Sequence, residues 1–514
     1  MNTRPWKRSS PTTKATRRAR FLCSAALLLA AAFLASCSGA GDPGHFHTYM
    51  QSDPGKLDPF YSADVISGRV LTMLCNGIFA VGGDGSLVPD LAARYSFDGR
   101  KLSVRLKSGV LFHDGRELTA DDAVFSLERV RTSQNPTSPR KWMFSTVKSV
   151  RKTGRYDLVI DLARTHATFP YLLTMPGSYI VSPGSDFERG RVIGTGPFYL
   201  AEWRQDERLL LLRNERYFGA KARVAGVEFR IIPEDLTARF EFVNGTLDYF
   251  ETPYLARLDF DEKAARMCDL PELSVQYVAI NNARAPFDKK EFRLALNLAV
   301  DRRAVMKALF GGRFTVSAGP VPPGTGGYRP AQREFPYDPE RARRMISSLG
   351  LEGFRVTLLV KADHQVALVA QMLQHFLERA GLRVTVLPLE WSAMKSRTLR
   401  GDFDLAYFTW HADYPEPENF LYPLFHSASA GASGNRSFFS DARVDALLDA
   451  ARGEVDREKR FDIYRKAERI ICDEAPWVFL WFGDKRIALS GRVGGFRPYP
   501  VFTVFKANEI TLEN

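Results

Sequence analysis

At 514 residues the chain is longer than a single hydrophobic core can serve, so two or more lobes are expected. Its 45% hydrophobic and 25% charged residues are ordinary globular values and exclude a largely disordered chain. Of the +12 formal charges, seven lie in residues 1–20, which hold no acid, and the five that remain are too few to call for a nucleic-acid partner.

The basic stretch from Arg4 to Arg20 runs into the apolar segment 21–35. That segment has the length of a secretory signal core and falls short of the ~20 residues of a membrane span. It closes on Leu34-Ala35-Ser36-Cys37, which resembles a bacterial lipobox. Residues 1–36 then read as a lipoprotein signal, Cys37 as the lipidated residue and 37–47 as a tether, with His45 and His47 part of that linker. An ordinary signal cleaved nearby leaves Cys37 incidental, and Arg17-Arg18 offers a twin-arginine signal of imperfect spacing. Beyond the signal stand Cys75, Cys268 and Cys472, an odd number that permits at most one internal disulfide. No CxxC pair exists, and buried free thiols are the expectation.

Thr48 to Met50 reads as a strand, and Val65, Val70, Leu71 and Leu74 recur at helical spacing. Asp98-Gly99 between two alternating runs marks a hairpin. Thr119 and Asp122 form a capping box at the start of a helix over 118–130, and this role outweighs a metal-ligand one for Asp121 and Asp122. Strands follow at 146–163. Gly194 and Gly196 have the wrong spacing for a phosphate loop. Further strands are expected at 209–213 and 224–232, a helix from Pro233 through Phe242, and a strand at 273–280 that ends on Asn281-Asn282. Lys289 to Leu309 reads as one helix. The pattern then turns α/β: helices at 338–349, 364–380, 440–451 and 455–473, with strands at 354–360, 382–388, 402–408 and near 477–490. Pro500 to Lys506 reads as an extended segment returning to an earlier sheet. Two α/β compositions joined by extended connections imply a binding cleft between lobes.

The blocks LDPFYSADVISGRVLTMLCNGIF (57–79), LKSGVLFHDGRELTADDAVFSLERV (106–130), GTGPFYLAEW (194–203), YVAINNARAPFDKKEFRLALNLAVDRRAV (277–305) and GDFDLAYFTWHADYPEPENFLYPLFHS (401–427) stand in an order that resembles the extracellular solute-binding proteins of the dipeptide and oligopeptide class, solute-binding family 5. The resemblance implies an α/β, bilobed periplasmic-binding-protein fold of type II, cluster C-like, with an additional small domain. Lobe I is expected at 40–82, 191–285 and 490–514, domain II at 83–190 and lobe III at 286–489, with hinges near 282–288 and 487–492. It also implies a monomeric, cofactor-free and non-catalytic capture protein, lipid-anchored outside the cytoplasm. Such a protein delivers short peptides to the permease and ATPase subunits of an ABC importer. The alternative keeps the transport role with a metal chelate, glutathione, an opine, haem or a sugar.

By the same resemblance Asp413 is the anchor for a ligand α-ammonium, since a cleft carboxylate exchanges charge-assisted hydrogen bonds with a cation. A cap on the Pro-rich turn that follows is its competing role. Trp410 is a candidate pocket wall or a core residue. His411 is a candidate contact or a locally satisfied loop residue. Asn281 and Asn282 are expected beside a hinge, and Tyr61 and Ser62 along the cleft. No Gly-x-Ser-x-Gly elbow, HExxH or Cys/His cluster supports an enzyme.

Overall fold

The computed structural model describes Met1 and residues 44–513, apart from 63, 134–140, 253–264, 313, 331–334, 432–433 and 502. The signal, Cys37 and the tether as far as residue 43 lie outside the described residues.

Strand β1 (His45–Met50) opens the described chain and leads to helix α1 (Val65–Leu74). Here the structure corrects the linker reading of His45 and His47. Both stand in β1, and His47 is buried, its backbone N–H donating to the Asp248 carboxylate at 2.8 Å. A small hairpin follows, β2 (Phe79–Val81) and β3 (Leu87–Pro89). Next comes an antiparallel sheet of β4 (Ala92–Phe97), β5 (Lys101–Leu106), β6 (Val147–Lys152) and β7 (Asp157–Leu162) in the order β4-β5-β7-β6. Asp98 closes its first turn by accepting the N–H groups of Arg100 and Lys101 at 2.8 and 2.7 Å, with Gly99 at φ +93°. Helix α2 (Ala120–Arg131) starts on the expected capping box, Asp122 accepting the Thr119 N–H at 2.9 Å. With the short α3 (Phe169–Leu172), these elements enclose a core around Leu102, Leu127, Ile160 and Phe169. This unit is domain II.

The strands β8 (Phe198–Arg204), β9 (Arg208–Arg213) and β10 (Gly226–Ile231) join β1 in the order β1-β10-β9-β8, with β1 parallel to β10. This is the sheet of lobe I. The Gly-rich turn before β8 packs directly on the end of α1. A Cβ at Gly194 or Gly196 would lie 2.1 or 2.2 Å from the carbonyl oxygens of Leu74 and Met73. These glycines serve backbone-on-backbone packing. Because a helix carbonyl cannot swing aside, Gly196→Ala is expected to cost about 2–3 kcal/mol. A thermal melt checks this, and an unchanged midpoint refutes it.

After α4 (Asp235–Val243) and β11 (Tyr249–Thr252) comes the long strand β12 (Ala265–Ile280). The expected single helix at 289–309 is two, α5 (Lys290–Ala299) and α6 (Arg302–Phe310). The break has a physical reason. Val300 is extended, Asp301 caps α6 by accepting the Ala304 N–H at 2.9 Å, and the buried Arg302 guanidinium donates to the carbonyls of Asn297 and Val300 that the break leaves unpaired. The short β13 (Thr315–Val316) precedes α6's successor α7 (Pro339–Ser348). Then β14 (Arg355–Lys361), α8 (His364–Arg379), β15 (Arg383–Leu389), α9 (Trp391–Leu399) and β16 (Leu405–His411) alternate. Helices α10 (Glu418–Phe425), α11 (Ala442–Gly453) and α12 (Arg457–Glu474) lead to the long strand β17 (Trp477–Ser490).

The resulting sheet runs β11-β17-β12-β16-β14-β15, with β13 beside β17. Its two faces are buried by separate clusters, one around Leu296, Leu358 and Leu373, the other around Phe408, Tyr464 and Trp477. This is lobe III. Strands β12 and β17 are shared: Val478 and Leu480 pack in lobe III, whereas Ile487 and Leu489 pack in lobe I with Phe46, Phe198 and Phe229. At the C-terminus the structure differs from expectation. Pro500 to Lys506 forms no strand among its described residues. Instead β18 (Val493–Gly494) pairs with β19 (Thr511–Leu512), while Phe505, Ala507 and Ile510 plug the lobe I core. Cys75, Cys268 and Cys472 are free thiols.

Candidate functional site

The order of the lobe III sheet fixes where a ligand crevice can form. From β14 the chain passes through α8 to β15 on one side, then through α9 to β16 on the other side of β14, and β14 is parallel to both. The strand order therefore reverses between β14 and β16. Crevices open outside the carboxyl ends of parallel strands at such a reversal. The carboxyl end of β14 carries Lys361 and Asp363; that of β16 carries Trp410, His411 and, two residues on, Asp413.

Local hydrogen bonds hold this end of β16. Ala412 N–H donates to the Leu273 carbonyl of β12 at 2.8 Å. The Asn419 side-chain oxygen accepts both the Asp413 N–H at 3.1 Å and the Trp410 indole N–H at 3.2 Å. Asn419 thus shapes the turn that the cap reading had given to Asp413, whose carboxylate is half-buried. Trp410 lies at the edge of the lobe III core, its ring partly covered. The next residue, Tyr414, is buried in the core of domain II and stacks with Tyr171, ring centroids 6.2 Å apart. Asp413 is therefore carried by lobe III on a loop whose following residue is seated in domain II.

His411 is satisfied by protein: its Nδ1 lies 3.2 Å from the buried Glu272 carboxylate. Glu272 belongs to a ladder of alternating charge across four neighbouring strands. Arg69 of α1 meets Glu251 of β11 at 2.5 Å, Lys485 of β17 meets Glu251 at 2.8 Å and Glu272 of β12 at 3.9 Å, and His411 of β16 ends the row. Burial pushes the Glu272 carboxyl up, but the His411 charge, with Lys485 and the Ser274 hydroxyl, holds it down to about 2. Burial likewise lowers Lys485, against the pull of Glu251. No sequence motif marks Glu272 or Lys485. The signal available is a charged residue inside an otherwise apolar strand, which is rarely buried unless paired.

A second buried carboxylate joins lobe III to domain II. Glu418, fully buried at the start of α10, receives Arg452 Nε of α11 at 2.6 Å, His166 Nε2 of domain II at 3.0 Å and the Thr168 hydroxyl in a short contact. The Ala167 N–H also donates to the Arg452 carbonyl at 2.8 Å. Burial raises the Glu418 carboxyl, yet Arg452 and His166 outweigh it and hold it at about 2. Its neighbour Glu416 is buried with Arg460 3.8 Å away, and burial outweighs the pull of Arg460 and Arg457 and pushes it up to about 7.

Four other expected contacts fall elsewhere. Asn281 and Asn282 follow the opposite end of β12, where Ile280 pairs with Leu405, whereas Ser274 pairs with His411. Seven residues of strand separate Ser274 from Asn281, about 23 Å. Their side-chain N–H groups donate inside lobe III, Asn281 to the Gly401 and Phe403 carbonyls and Asn282 to those of Ile280, Ser437 and Pro476. They tie loops together at the end of the sheet away from Asp413. Tyr61 and Ser62 lie at the seam of lobe I and domain II, where Tyr61 packs against Phe60 and the domain II core.

Comparison with known proteins agrees with this architecture. Residues 86–432 match the model of bacterial extracellular solute-binding proteins, family 5, middle region. Heme-binding protein A of Haemophilus influenzae is 30% identical over 455 residues, 81% of this chain and 83% of that protein. A probable D,D-dipeptide-binding periplasmic protein of Escherichia coli is 27% identical, covering 90% of this chain and 93% of its own. Among solved structures, a periplasmic binding protein of Helicobacter pylori in complex with the peptide STSA superposes with a TM-score of 0.82 at 26% identity, over 92% of this chain and 99% of that one. The bilobed α/β periplasmic-binding fold follows, as does a solute-binding and non-catalytic role. By its matched length, its sheet order and its crevice, the chain belongs to the family 5 bacterial extracellular solute-binding proteins.

Proposed function

We propose that this chain is the capture component of an ABC importer, exported and lipid-anchored through Cys37, and that it takes short peptides with Asp413 as the anchor for their α-ammonium group. The observation that carries the reading is the position of Asp413. It stands at the carboxyl end of β16 beside a strand-order reversal, on a loop clasped between lobe III and domain II. A half-buried carboxylate there gives a ligand cation more in the closed cleft than in the open one, and only such a difference drives closure. Extended peptides bound largely through main-chain hydrogen bonds leave little side-chain signature, in keeping with the short roll of candidate residues. The closed form then offers both lobes to a permease. The Helicobacter pylori relative in complex with STSA supports the peptide reading.

One observation favours a second reading. The Haemophilus influenzae relative carries the name of a haem-binding protein. Native mass spectrometry of protein purified without denaturation separates the two. A ladder of co-purifying short-peptide masses is the expected result. A single haem or other non-peptide mass would leave the importer role in place and refute both the peptide and the ammonium anchor.

A further inference from the structure

Glu272 is a buried carboxylate for which the chain makes several separate provisions. Pairing of β12 with β17 is in register from Ala265 to Pro271 and again from Val275, and Glu272, Leu273 and Ser274 fall in the interruption. Gly483 lies opposite. A Cβ there would stand 2.6 Å from the Ser274 hydroxyl and 3.1 Å from the Glu272 carboxylate, so the absence of a side chain at 483 makes room for this carboxylate. The Ser274 hydroxyl donates to Glu272 at 3.0 Å. Lys485 approaches from β17 but sits 3.9 Å away, closer to Glu251 at 2.8 Å. His411 of β16 comes closer, at 3.2 Å.

The same stretch of β12 holds the end of β16 through its backbone. Ser274 is the register partner of His411, and the Leu273 carbonyl takes the Ala412 N–H. Beyond Ala412 comes Asp413.

We propose that Glu272 is a positioning residue for ligand capture, holding His411, and through it the end of β16 that carries Asp413, against the two strands that join the lobes. The inference rests on the reading of Asp413 as the anchor. The groups that face this pair are Ser274 and Asp269 on β12, Asp484 and Lys485 on β17, Glu251 on β11, Arg69 on α1 and Asp413 on the same segment. Of the five ladder members His411 is the most exposed, with a third of its side chain open to solvent. An imidazole changes charge between about pH 5 and 8. When it is cationic the pair is intact. When it is neutral, the charge attraction between His411 and Glu272 is lost while Ser274 and Lys485 stay in place, and the end of β16 loosens.

The test is calorimetric affinity for trialanine at pH 5.5 and pH 8, on mature protein extracted in detergent, each value corrected for the share of trialanine whose amino terminus is protonated, since an α-amino group titrates at about 7.7–8.0. The wild type is expected to bind about tenfold more weakly at pH 8. Glu272→Gln and His411→Gln are each expected to bind at that weaker level at both pH values. A purely structural Glu272 would lower the melting temperature and leave the pH profile as it is in the wild type. Should Glu272→Gln not fold, His411→Gln decides, being changed at a part-exposed position. Wild-type affinity that is flat between the two pH values overturns the proposal, as does wild-type behaviour of His411→Gln. Asp413→Asn run alongside separates the two ideas. If it binds as the wild type does, the anchor falls and this inference with it; if it loses binding while His411→Gln does not, only the inference falls.

Discussion

Asp413→Asn is expected to weaken binding of a tripeptide with a free amino terminus between about thirty-fold and a few thousand-fold, the range that follows from removing one partner of a desolvated charge pair at about 2–5 kcal/mol. Asparagine keeps the shape and one acceptor and removes only the charge, so the loss reports electrostatics and not a cavity. The Asp413 backbone N–H is held by Asn419 whichever side chain follows, so the turn itself should survive. Calorimetry with trialanine and its N-acetyl derivative makes the test specific. The wild type should reject the blocked peptide strongly, and the variant should scarcely distinguish the two. Equal affinity of the wild type for both peptides would place the ammonium contact elsewhere. Because the carboxylate is half-buried, raising the salt concentration should reduce the difference less than it would for an exposed pair.

What the sequence made legible is what local chemistry decides. Asp98-Gly99 and the Thr119–Asp122 box can be read because the groups that satisfy each backbone donor lie within three residues of it. The break between α5 and α6 was legible in principle, since Asp301 is a good cap. The helical pattern running through it concealed the buried Arg302 that takes up the freed carbonyls. Asn281 and Asn282 read as site residues because they stand just before an expected hinge. Apart from Ile280, the carbonyls that their amides bond sit at residues 401, 403, 437 and 476, more than a hundred positions away, and no spacing rule reaches them. His45 and His47 sat next to a signal and so resembled a linker, yet β1 finds its partner β10 about 180 residues later. Glu272, Lys485 and Glu418 follow the same logic. Each is a charge in apolar surroundings whose counterion is supplied by another strand or another domain. The resemblance supplied Asp413 and the lobes because it carries tertiary information that a single chain's periodicity does not.

The strongest stability effect is expected at Glu418. Its carboxylate is the one group that lobe III's Arg452 and domain II's His166 and Thr168 all share, and none of these side chains has water to turn to. Glu418→Gln leaves a guanidinium, only 11% exposed, beside a neutral amide. Breaking a buried pair in this way costs about 3–5 kcal/mol. The pH dependence has a definite sign. The folded carboxyl titrates at about 2, below the ordinary value of 4.5, so its contribution is fully present above pH 4.5 and is lost as pH falls from there towards 2. Denaturant midpoints of wild type and variant should therefore differ clearly at pH 7, and the gap should narrow as pH falls below 4.5 and close only near pH 2. A gap that persists at low pH would mean that the loss comes from packing and not from the charge. No gap at pH 7 would mean that His166 and Arg452 are held by something other than Glu418. Since Tyr414 and Glu418 flank the same short turn, the charge that joins domain II to lobe III and the charge proposed to hold the ligand are five residues apart. Closing the cleft and filling it are then consequences of one loop finding its place between two domains.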